Sequence, residues 1–446
     1  MIRPAAIRVG LLGFGTIGTG VAKVLARNAA VIERRLGAPL RLVRIADLDL
    51  ARDRGVDLAG IRFDADAEGL VRDPGVDIVV ELIGGTGAAR RLMLLAIEAG
   101  KPVVTANKAL LAQHGKEIFD AAAKQGVDVA FEASVGGGIP ILRAIREGLA
   151  ANRIQSVHGI INGTTNYMLS EMERTGEPFE AVLARAQALG FAEADPSTDV
   201  DGIDAAHKLT LLAAMAFGAE LTVKDIPTEG IRGIQPIDFD AAREFGYRIK
   251  LLAIAKTGSD EESSAPGPIE ARVQPTLIPA SSLLAKVDGA MNAVAVCGDA
   301  VGTTLYYGAG AGELPTASAV VGDLIEIARE LRRGSAGRVA PLAFLPQSLA
   351  RRELVPLGDL FGRAYLRFTA VDRPAVLAHI TGVLGEQGIG IESVIQKGRG
   401  NLSASVPVLM LIDPAREAAV RRALEKIDRL PDVTAPTKLI RIEEDL

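Results

Sequence analysis

The stretch IRVGLLGFGTIG, residues 7–18, decides the fold of the N-terminal region. Its first six residues are apolar enough for a buried β-strand, and the glycine pattern G-x-G-x-x-G follows at once and opens a helix. In such a unit the first glycine makes a tight turn, the second lets backbone approach a pyrophosphate, and the third lets helix pack on strand. An incidental glycine-rich turn is the weaker alternative. The sequence therefore predicts a dinucleotide site at Gly13, Phe14, Gly15, Thr16, Ile17 and Gly18.

The next elements carry a candidate ribose contact. One long helix is predicted over TGVAKVLARNAAVIERRL (19–36), followed by the strand LRLVRIAD (40–47), which ends at Asp47. A carboxylate at this position accepts a hydrogen bond from the ribose of NAD, whereas arginines nearby accommodate the 2′-phosphate of NADP. The arginines in question are Arg44, Arg52 and Arg54. Both NAD and NADP therefore remain candidate cofactors.

The alternation of strands and helices continues to residue 140. Apolar runs within 76–84, 101–111 and 127–140 predict three further strands, each separated from the next by a helical segment. This pattern predicts an open parallel sheet, whose ligands bind at the carboxyl ends of the strands. The polar residues at those ends are Thr86, Thr105, Asn107, Lys108 and Glu132.

The last of these strands runs into three consecutive glycines, 136–138, close to Glu132. Glycines expose bare backbone carbonyls, and one carboxylate with several carbonyls makes an all-oxygen site suited to a monovalent cation. A flexible turn between domains explains the glycines equally well, so the residues alone leave both interpretations open.

The segment GFAEADPSTDVDGIDAAHKLTLL, 190–212, is acidic and then becomes an apolar helix that carries one lysine. Asp201, Asp204 and Lys208 follow the spacing i, i+3, i+7, which predicts one shared helix face. A surface ion pair has the same spacing. However, the helix beyond Lys208 is apolar nearly all round, which indicates burial, and a partly desolvated lysine exchanges its proton nearer neutral pH. Spacing alone therefore leaves both a catalytic and a structural role open.

Beyond residue 141 helices mix with alternating strands. The segment 153–172 predicts a strand, a polar turn at 162–166 and a helix, and the residues at 247–256 and 270–310 predict a second, mixed sheet. A glycine-rich loop and a long helix, about 308–334, are expected to return to the first domain. Residues 335–360 predict a linker, and the order β-α-β-β-α-β that follows is ferredoxin-like. The predicted domains are therefore 1–140 with 308–334, 141–307 and 361–446.

Composition excludes several classes of protein. The net charge of −5 over 446 residues provides no basic surface for nucleic acid or anionic lipid. The single cysteine, Cys297, excludes an internal disulfide and lies in an apolar run without a base beside it, which predicts an inert thiol. Four scattered histidines lack metal-ligand spacing, and no apolar run is long enough to span a bilayer. We expect a soluble, cytoplasmic protein.

Taken together, five motifs closely resemble homoserine dehydrogenase in its monofunctional form with a C-terminal ACT domain, and the resemblance covers essentially the whole chain. The motifs are GFGTIG (13–18), TANKALL (105–111), EASVGGGIP (132–140), INGTTNYML (161–169) and GFAEADPSTDVDGIDAAHK (190–208). The resemblance implies an α/β fold with an N-terminal Rossmann domain, an α+β catalytic and dimerisation domain, and a regulatory ACT domain. It implies NAD(P)H-dependent reduction of L-aspartate 4-semialdehyde to L-homoserine, in threonine, methionine and isoleucine biosynthesis, by a homodimer or homotetramer.

The resemblance also implies roles for individual residues. Lys208 looks like the general acid, Asp204 like its orienting partner, and Lys108 like a lysine near both nicotinamide and substrate. Glu193 matches the glutamate that holds the substrate ammonium, and Asp199 and Thr164 match substrate-binding positions. Glu132 and the carbonyls of Val135, Gly137 and Ile139 match a site for sodium or potassium, and Gly310 matches a loop that returns to the cofactor.

One motif departs from the family pattern. The ACT loop usually reads Asp-Arg-Pro-Gly, whereas this chain has Ala375 after Pro374, which adds a Cβ where the backbone would approach an amino-acid effector such as the inhibitor threonine. Two other functions are alternatives. Aspartate-semialdehyde dehydrogenase needs an activated cysteine, a setting that Cys297 lacks. A non-catalytic sensor of dinucleotide and amino acid would not need the buried proton donor that Lys208 and Asp204 suggest.

Overall fold

The computed structural model describes residues 6–258, 267–396 and 405–446. Its strands are β1 Ile7–Leu12, β2 Leu40–Ala46, β3 Arg62–Asp64, β4 Ile78–Glu81, β5 Val103–Thr105, β6 Val129–Ala130, β7 Ile154–Ile160, β8 Ala219–Glu220, β9 Tyr247–Thr257, β10 Ile269–Pro279, β11 Met291–Gly298, β12 Gly302–Ala309, β13 Ala350–Arg351, β14 Phe361–Val371, β15 Ile391–Gln396, β16 Ser405–Arg416 and β17 Val433–Ile442. Its α-helices are α1 Thr16–Arg27, α2 Ala29–Leu36, α3 Ala67–Arg72, α4 Ala88–Glu98, α5 Lys108–Gln125, α6 Ile141–Arg143, α7 Gly163–Thr175, α8 Phe179–Ala188, α9 Ser197–Val200, α10 Ile203–Phe217, α11 Pro236–Glu244, α12 Glu313–Arg333, α13 Val376–Glu386 and α14 Glu417–Ile427.

Two compact units make up the chain. The first contains Met1–Val157, Ala206–Ile226 and Asn292–Arg352. The second contains His158–Ala205, Pro227–Met291 and Glu353–Leu446. These boundaries differ from the three predicted domains, whose division remains a prediction.

The first unit is built on a parallel sheet in the order β3-β2-β1-β4-β5-β6. This is the doubly wound order of dinucleotide-binding domains, with a switch point between β1 and β4. The long helix α12 packs into the same core, where Ala317, Val320 and Leu324 are fully buried among residues of β1 and β4. The predicted Rossmann sheet is therefore confirmed.

The single helix predicted over 19–36 is wrong. The chain forms two helices, α1 and α2, separated by Asn28, whose backbone leaves the helical region at φ −104° and ψ 11°. Asparagine competes for helical hydrogen bonds with its own side chain, which favours turns at such positions. Gly37 then ends α2 in the left-handed conformation with φ 76°.

The second unit contains a mixed sheet, as predicted. Strands β9 and β10 form an antiparallel hairpin, and β10 pairs in parallel with β17. The C-terminal strands follow in the order β17-β14-β16-β15, with antiparallel pairing between neighbours, and α13 and α14 connect them in the order β-α-β-β-α-β. The ferredoxin-like order predicted for 361–446 is confirmed. Within the described ranges, none of the helices is long and apolar enough to cross a membrane.

The turn predicted at 162–166 is only partly correct. Helix α7 already begins at Gly163, and Asn162 is its N-cap, with Oδ1 accepting a hydrogen bond from the Thr165 N–H at 2.8 Å. An asparagine at an N-cap satisfies one of the open N–H groups of the first turn. Thr164 therefore lies in the first turn of a helix rather than in a loop.

Candidate active site

The glycine motif forms the cradle expected for a dinucleotide. Gly13 has φ +92°, and a Cβ there would lie 2.6 Å from the Leu82 carbonyl oxygen. A Cβ on Gly18 would overlap the Gly13 carbonyl oxygen, whereas one on Gly15 would meet nothing within 4 Å. Gly15 and Thr16 are exposed at the start of α1, so the first N–H groups of that helix face an open surface where a phosphate can bind. The residues present therefore fit a pyrophosphate.

Asp47 joins the end of β2 to the glycine motif. Its Oδ2 accepts a hydrogen bond from the Phe14 N–H at 2.5 Å, and its Oδ1 accepts one from the Asp49 N–H at 2.8 Å. The buried guanidinium of Arg54 lies 5.0 Å from the centroid of the Phe14 ring and donates to the Phe14 carbonyl oxygen. The Asp47 carboxylate, which suits the ribose of NAD, and the Arg54 guanidinium, which suits the 2′-phosphate of NADP, therefore lie close together. Both NAD and NADP remain candidates.

A buried carboxylate that the sequence analysis did not single out organises the end of β4. Glu81 has no exposed surface, and its Oε1 accepts hydrogen bonds from the N–H groups of Ile83 and Gly84 at 2.9 and 3.0 Å. Its Oε2 accepts one from the Thr105 hydroxyl at 2.7 Å. These hydrogen bonds thus fix the start of the loop that carries Thr86. The available signal was a charged residue at the end of an otherwise apolar strand.

Asn107 continues this network into α5. Its N–H donates to the Thr105 hydroxyl oxygen at 3.0 Å, and its side-chain amide donates to the Gly85 carbonyl oxygen at 2.8 Å. Its Oδ1 caps the helix by accepting from the Leu110 N–H at 3.1 Å. Lys108 is the first residue of α5 and is half-buried. The structure therefore brings Thr105 and Lys108 to the end of the parallel sheet.

Glu132 is buried at the end of the strand β6. Its two carboxylate oxygens accept hydrogen bonds from the N–H groups of Leu142 and Arg143 at 2.9 and 2.8 Å, and its own N–H donates to Asp323 at 2.8 Å. Burial, followed by the negative charge of Asp323, raises the pKa of Glu132 to about 7. A cation beside this carboxylate would oppose that shift.

The glycine turn after Glu132 approaches a second glycine loop. Gly136 and Gly137 adopt φ +71° and +54°, and a Cβ on Gly137 would overlap the Gly310 carbonyl oxygen. Val135 and Ile139 are buried in the same turn, and the Ile139 carbonyl oxygen accepts a hydrogen bond from the Ile141 N–H at 2.8 Å. The structure therefore brings the predicted cation turn and the predicted cofactor loop together within the first unit.

In the second unit, Asn162 holds two of the predicted acids. Its Nδ2 donates to Asp199 Oδ1 at 2.7 Å and to Asp204 Oδ2 at 2.9 Å. One neutral amide therefore joins both carboxylates through hydrogen bonds. Asn162 appeared in the sequence analysis only within a polar turn, because nothing local indicates a partner about 40 residues away.

The loop that carries Glu193 is tied to α7. The Thr164 hydroxyl donates to the Phe191 carbonyl oxygen at 2.7 Å, and the rings of Phe191 and Tyr167 lie 4.6 Å apart between centroids. The Gln187 amide donates to the Glu193 carbonyl oxygen at 3.0 Å. These contacts leave the Glu193 side chain exposed. The second unit therefore gathers Thr164, Asp199 and Asp204 and holds the backbone at Glu193.

Helix α10 carries Asp204 and Lys208 but not Asp201. Asp204 is buried and Lys208 is half-buried four residues later, one turn along the same face. The predicted place of Asp201 on this face is wrong, because α10 begins at Ile203 after Gly202, whose φ of +84° interrupts any helix. Asp201 instead pairs with Arg232, at 2.6 Å between Oδ1 and Nε.

Two family models match the chain: the NAD-binding domain of homoserine dehydrogenase over residues 13–132, and homoserine dehydrogenase over residues 140–325. The homoserine dehydrogenase of Neisseria gonorrhoeae is 48% identical over 438 residues, which cover 98% of each chain. The chain belongs to the homoserine dehydrogenase family. The homoserine dehydrogenase of Pseudomonas aeruginosa is likewise 48% identical, over 98% of this chain and 99% of its own.

Solved structures of homoserine dehydrogenases agree. The enzyme from Thiobacillus denitrificans is 49% identical, covers 98% of both chains and superposes with a TM-score of 0.90. A hyperthermophilic archaeal homoserine dehydrogenase in complex with NADPH is 25% identical with a TM-score of 0.59, over 72% of this chain and 97% of its own. The chain is thus an NAD(P)-dependent oxidoreductase that acts on a small molecule. A non-catalytic sensor is not favoured.

Proposed function

We propose that this member of the homoserine dehydrogenase family reduces L-aspartate 4-semialdehyde to L-homoserine in the biosynthesis of threonine, methionine and isoleucine. The observation that carries the proposal is the pair on α10, where a half-buried lysine follows a buried aspartate by one turn. Bound NADPH or NADH supplies the hydride. Lys208 donates the proton to the carbonyl oxygen of the substrate. Asp204, which accepts a hydrogen bond from the Asn162 amide, orients Lys208.

Recognition of the substrate head group falls to the acidic segment before α10. Glu193 is exposed and carries a charge opposite to that of the substrate ammonium, so it is the proposed ammonium site. Asp199, also held by the Asn162 amide, and Thr164 complete the proposed substrate contacts. Lys108, at the start of α5, is proposed to lie near the nicotinamide and to share the proton transfer.

The test is the oxidation of NADPH and of NADH with aspartate semialdehyde, followed by the nicotinamide absorbance. Turnover with semialdehyde is expected, and Glu193→Gln is expected to raise KM about 10-fold or more with a smaller change in kcat, because it removes ground-state binding of the ammonium. The matched control is Asp195→Asn, an exposed acid in the same loop that has no proposed contact. Binding of cofactor without turnover would contradict the proposal.

We also propose a monovalent cation, sodium or potassium, between Glu132 and the carbonyls of Val135, Gly137 and Ile139. One buried carboxylate and several carbonyl oxygens suit a cation of low charge. The cation would hold together two glycine turns that approach each other.

Sodium is expected to stabilise the enzyme through Glu132. At about pH 8, replacing choline chloride by sodium chloride at about 100 mM should raise the Tm by a few degrees, and Glu132→Gln should abolish the increase, because a bound ion stabilises only the folded state. Glu117→Gln is the matched control, since this surface glutamate pairs with Arg90. An equal response in all three proteins would show that the salt acts elsewhere.

Regulation is proposed for the ferredoxin-like unit as an ACT domain that binds an amino-acid effector such as threonine. Ala375 stands where the family has glycine, and it adopts φ +73°, a left-handed conformation that costs a residue with a Cβ roughly 1 kcal/mol. Ala375 thus holds a backbone conformation that glycine adopts without this cost, which supports a role for this loop. Assembly as a homodimer or homotetramer is proposed with it.

A further inference from the structure

A buried amide remains without a role in the site described above. Asn292 lies in β11 with 1% of its surface exposed. In the part of the chain that the structure describes, neither its Nδ2 nor its Oδ1 has a hydrogen-bond partner. An amide that is buried without partners lowers the stability of the folded state, so its presence calls for a compensating function.

The surroundings of Asn292 indicate that function. A Cβ on Gly310 would lie 2.5 Å from Asn292 Oδ1 and would overlap Nδ2, so the α-carbon of Gly310 packs directly on the amide. The carbonyl oxygen of Gly310 in turn lies against the α-carbon of Gly137. Gly310 therefore packs against both the amide and the glycine turn, in the loop that is proposed to meet the cofactor.

A buried asparagine with a purely structural role has different contacts in this protein. Asn166 is also 1% exposed, but its Nδ2 donates to the carbonyl oxygens of Val287, Gly289 and Met291 at 3.0, 2.9 and 3.1 Å. The Asn166 amide already uses its N–H groups to hold a loop in the free protein. Asn292 has both its donor and its acceptor still available beside a loop backbone.

We infer that Asn292 is a positioning residue for the nicotinamide half of the dinucleotide. When the cofactor binds, the Gly310 loop shifts slightly, and the Asn292 amide pairs with backbone N–H and C=O groups of that loop. These hydrogen bonds fix the loop against the nicotinamide. In the free enzyme the unpaired amide destabilises the fold, and its pairing on binding removes this destabilisation. The pairing therefore adds to the affinity for the cofactor. The inference rests on the proposed place of Gly310 beside the cofactor.

The experiment compares wild type with Asn292→Leu, which preserves the size of the side chain and removes both polar atoms. Three quantities are measured: the Tm of the free enzyme, the Kd for NADPH, and the Kd for 2′-phospho-ADP-ribose, which lacks the nicotinamide. If wild type binds NADH rather than NADPH, NADH and ADP-ribose take their places, with the same expected results. We expect an unchanged or higher Tm, a Kd for NADPH raised about 10-fold or more, and an unchanged Kd for the fragment. Asn166→Leu is the matched control and should lower the Tm without altering either Kd.

Other outcomes overturn the inference. A lower Tm with both Kd values unchanged would make Asn292 structural, like Asn166. Equal weakening of NADPH and of the fragment would place its effect outside the nicotinamide half. If Asn292→Leu does not fold, Asn292→Ala is measured in the same way, and a loss of NADPH affinity confined to the intact dinucleotide supports the inference. Wild type that binds neither NADPH nor NADH would instead refute the proposed function itself.

Discussion

Replacing Lys208 by alanine is expected to lower kcat/KM for the reduction of aspartate semialdehyde by about 10³-fold, or roughly 4 kcal/mol of transition-state stabilisation. The hydride adds to the carbonyl carbon while negative charge develops on the oxygen, and Lys208 is proposed to protonate that oxygen. Without it, water must supply the proton from a less favourable position. The loss should fall mainly on kcat, because the interaction forms only as charge develops.

Three further variants test the role of Lys208, and the first of them separates proton transfer from positive charge. Lys208→Arg keeps the positive charge, but a guanidinium does not release its proton near neutral pH, so most of the kcat should stay lost. Lys224→Ala is the matched control, because this exposed lysine lies outside α10 and outside every proposed contact. Binding of NADPH should be normal in all of them. If Lys208→Ala keeps most of its activity while Lys108→Ala loses it, the proton donor is Lys108.

The parallel sheet was predictable because its signals are local. A buried strand is a run of apolar residues, and the turn after β1 needs glycines at positions where a Cβ would collide, as it would at Gly13 and Gly18. Both features are visible within a dozen residues. The same holds for the C-terminal order β-α-β-β-α-β, in which each element is long enough to show its own period.

The contacts that assemble the candidate site were not predictable in the same way. Glu81 bonds to Thr105 and Asn162 to Asp204, pairs separated by 24 and 42 residues. Periodicity tells whether a residue is buried but not which distant group satisfies it. Asn292 shows this limit most clearly, since it appeared only as one residue of an alternating strand.

One error had a local cause. The prediction that Asp201, Asp204 and Lys208 share one face assumes a continuous helix, although Gly202 lies between the first two. Glycine readily adopts positive φ, and here its value of +84° separates Asp201 from α10. A glycine between two positions of a predicted helix is thus the local signal that the helix begins after it.

Replacing Asp238 by alanine is expected to destabilise the second unit by about 3–5 kcal/mol, which should lower its Tm by roughly 10 °C. Asp238 lies in α11 with 1% of its surface exposed. Its Oδ1 accepts hydrogen bonds from the Tyr365 hydroxyl at 2.9 Å and from Arg367 Nε at 2.8 Å. Both partners lie in β14, so one carboxylate joins the helix to the ferredoxin-like sheet.

The large cost follows from what remains behind rather than from the lost contacts alone. Alanine would leave a buried guanidinium without its counter-ion and a buried phenol without its acceptor. Burial, followed by the charge of Asp238, raises the pKa of Tyr365, so this phenol remains a neutral donor that needs an acceptor. Asp240→Ala is the matched control on the same helix, since Asp240 is exposed and forms only a surface ion pair with Arg243, at 3.3 Å. Its replacement should change the free energy of unfolding by no more than about 0.5 kcal/mol.

A combined replacement distinguishes the unpaired charge from the lost helix contact. In the triple variant Asp238→Leu, Arg367→Met, Tyr365→Phe, no polar side chain of the network remains. The backbone N–H of Gln235 loses its acceptor Asp238 Oδ2 in the triple variant, as it does in Asp238→Ala, and the Gly233 carbonyl oxygen loses its bond from Arg367. Apolar packing of similar volume can recover most of the stability that the unpaired guanidinium and phenol cost. We therefore expect the triple variant to melt well above Asp238→Ala in calorimetry, despite carrying more changes. If it melts as low as the single variant, the network contributes through its specific hydrogen bonds, and the desolvated charge is not the source of the cost.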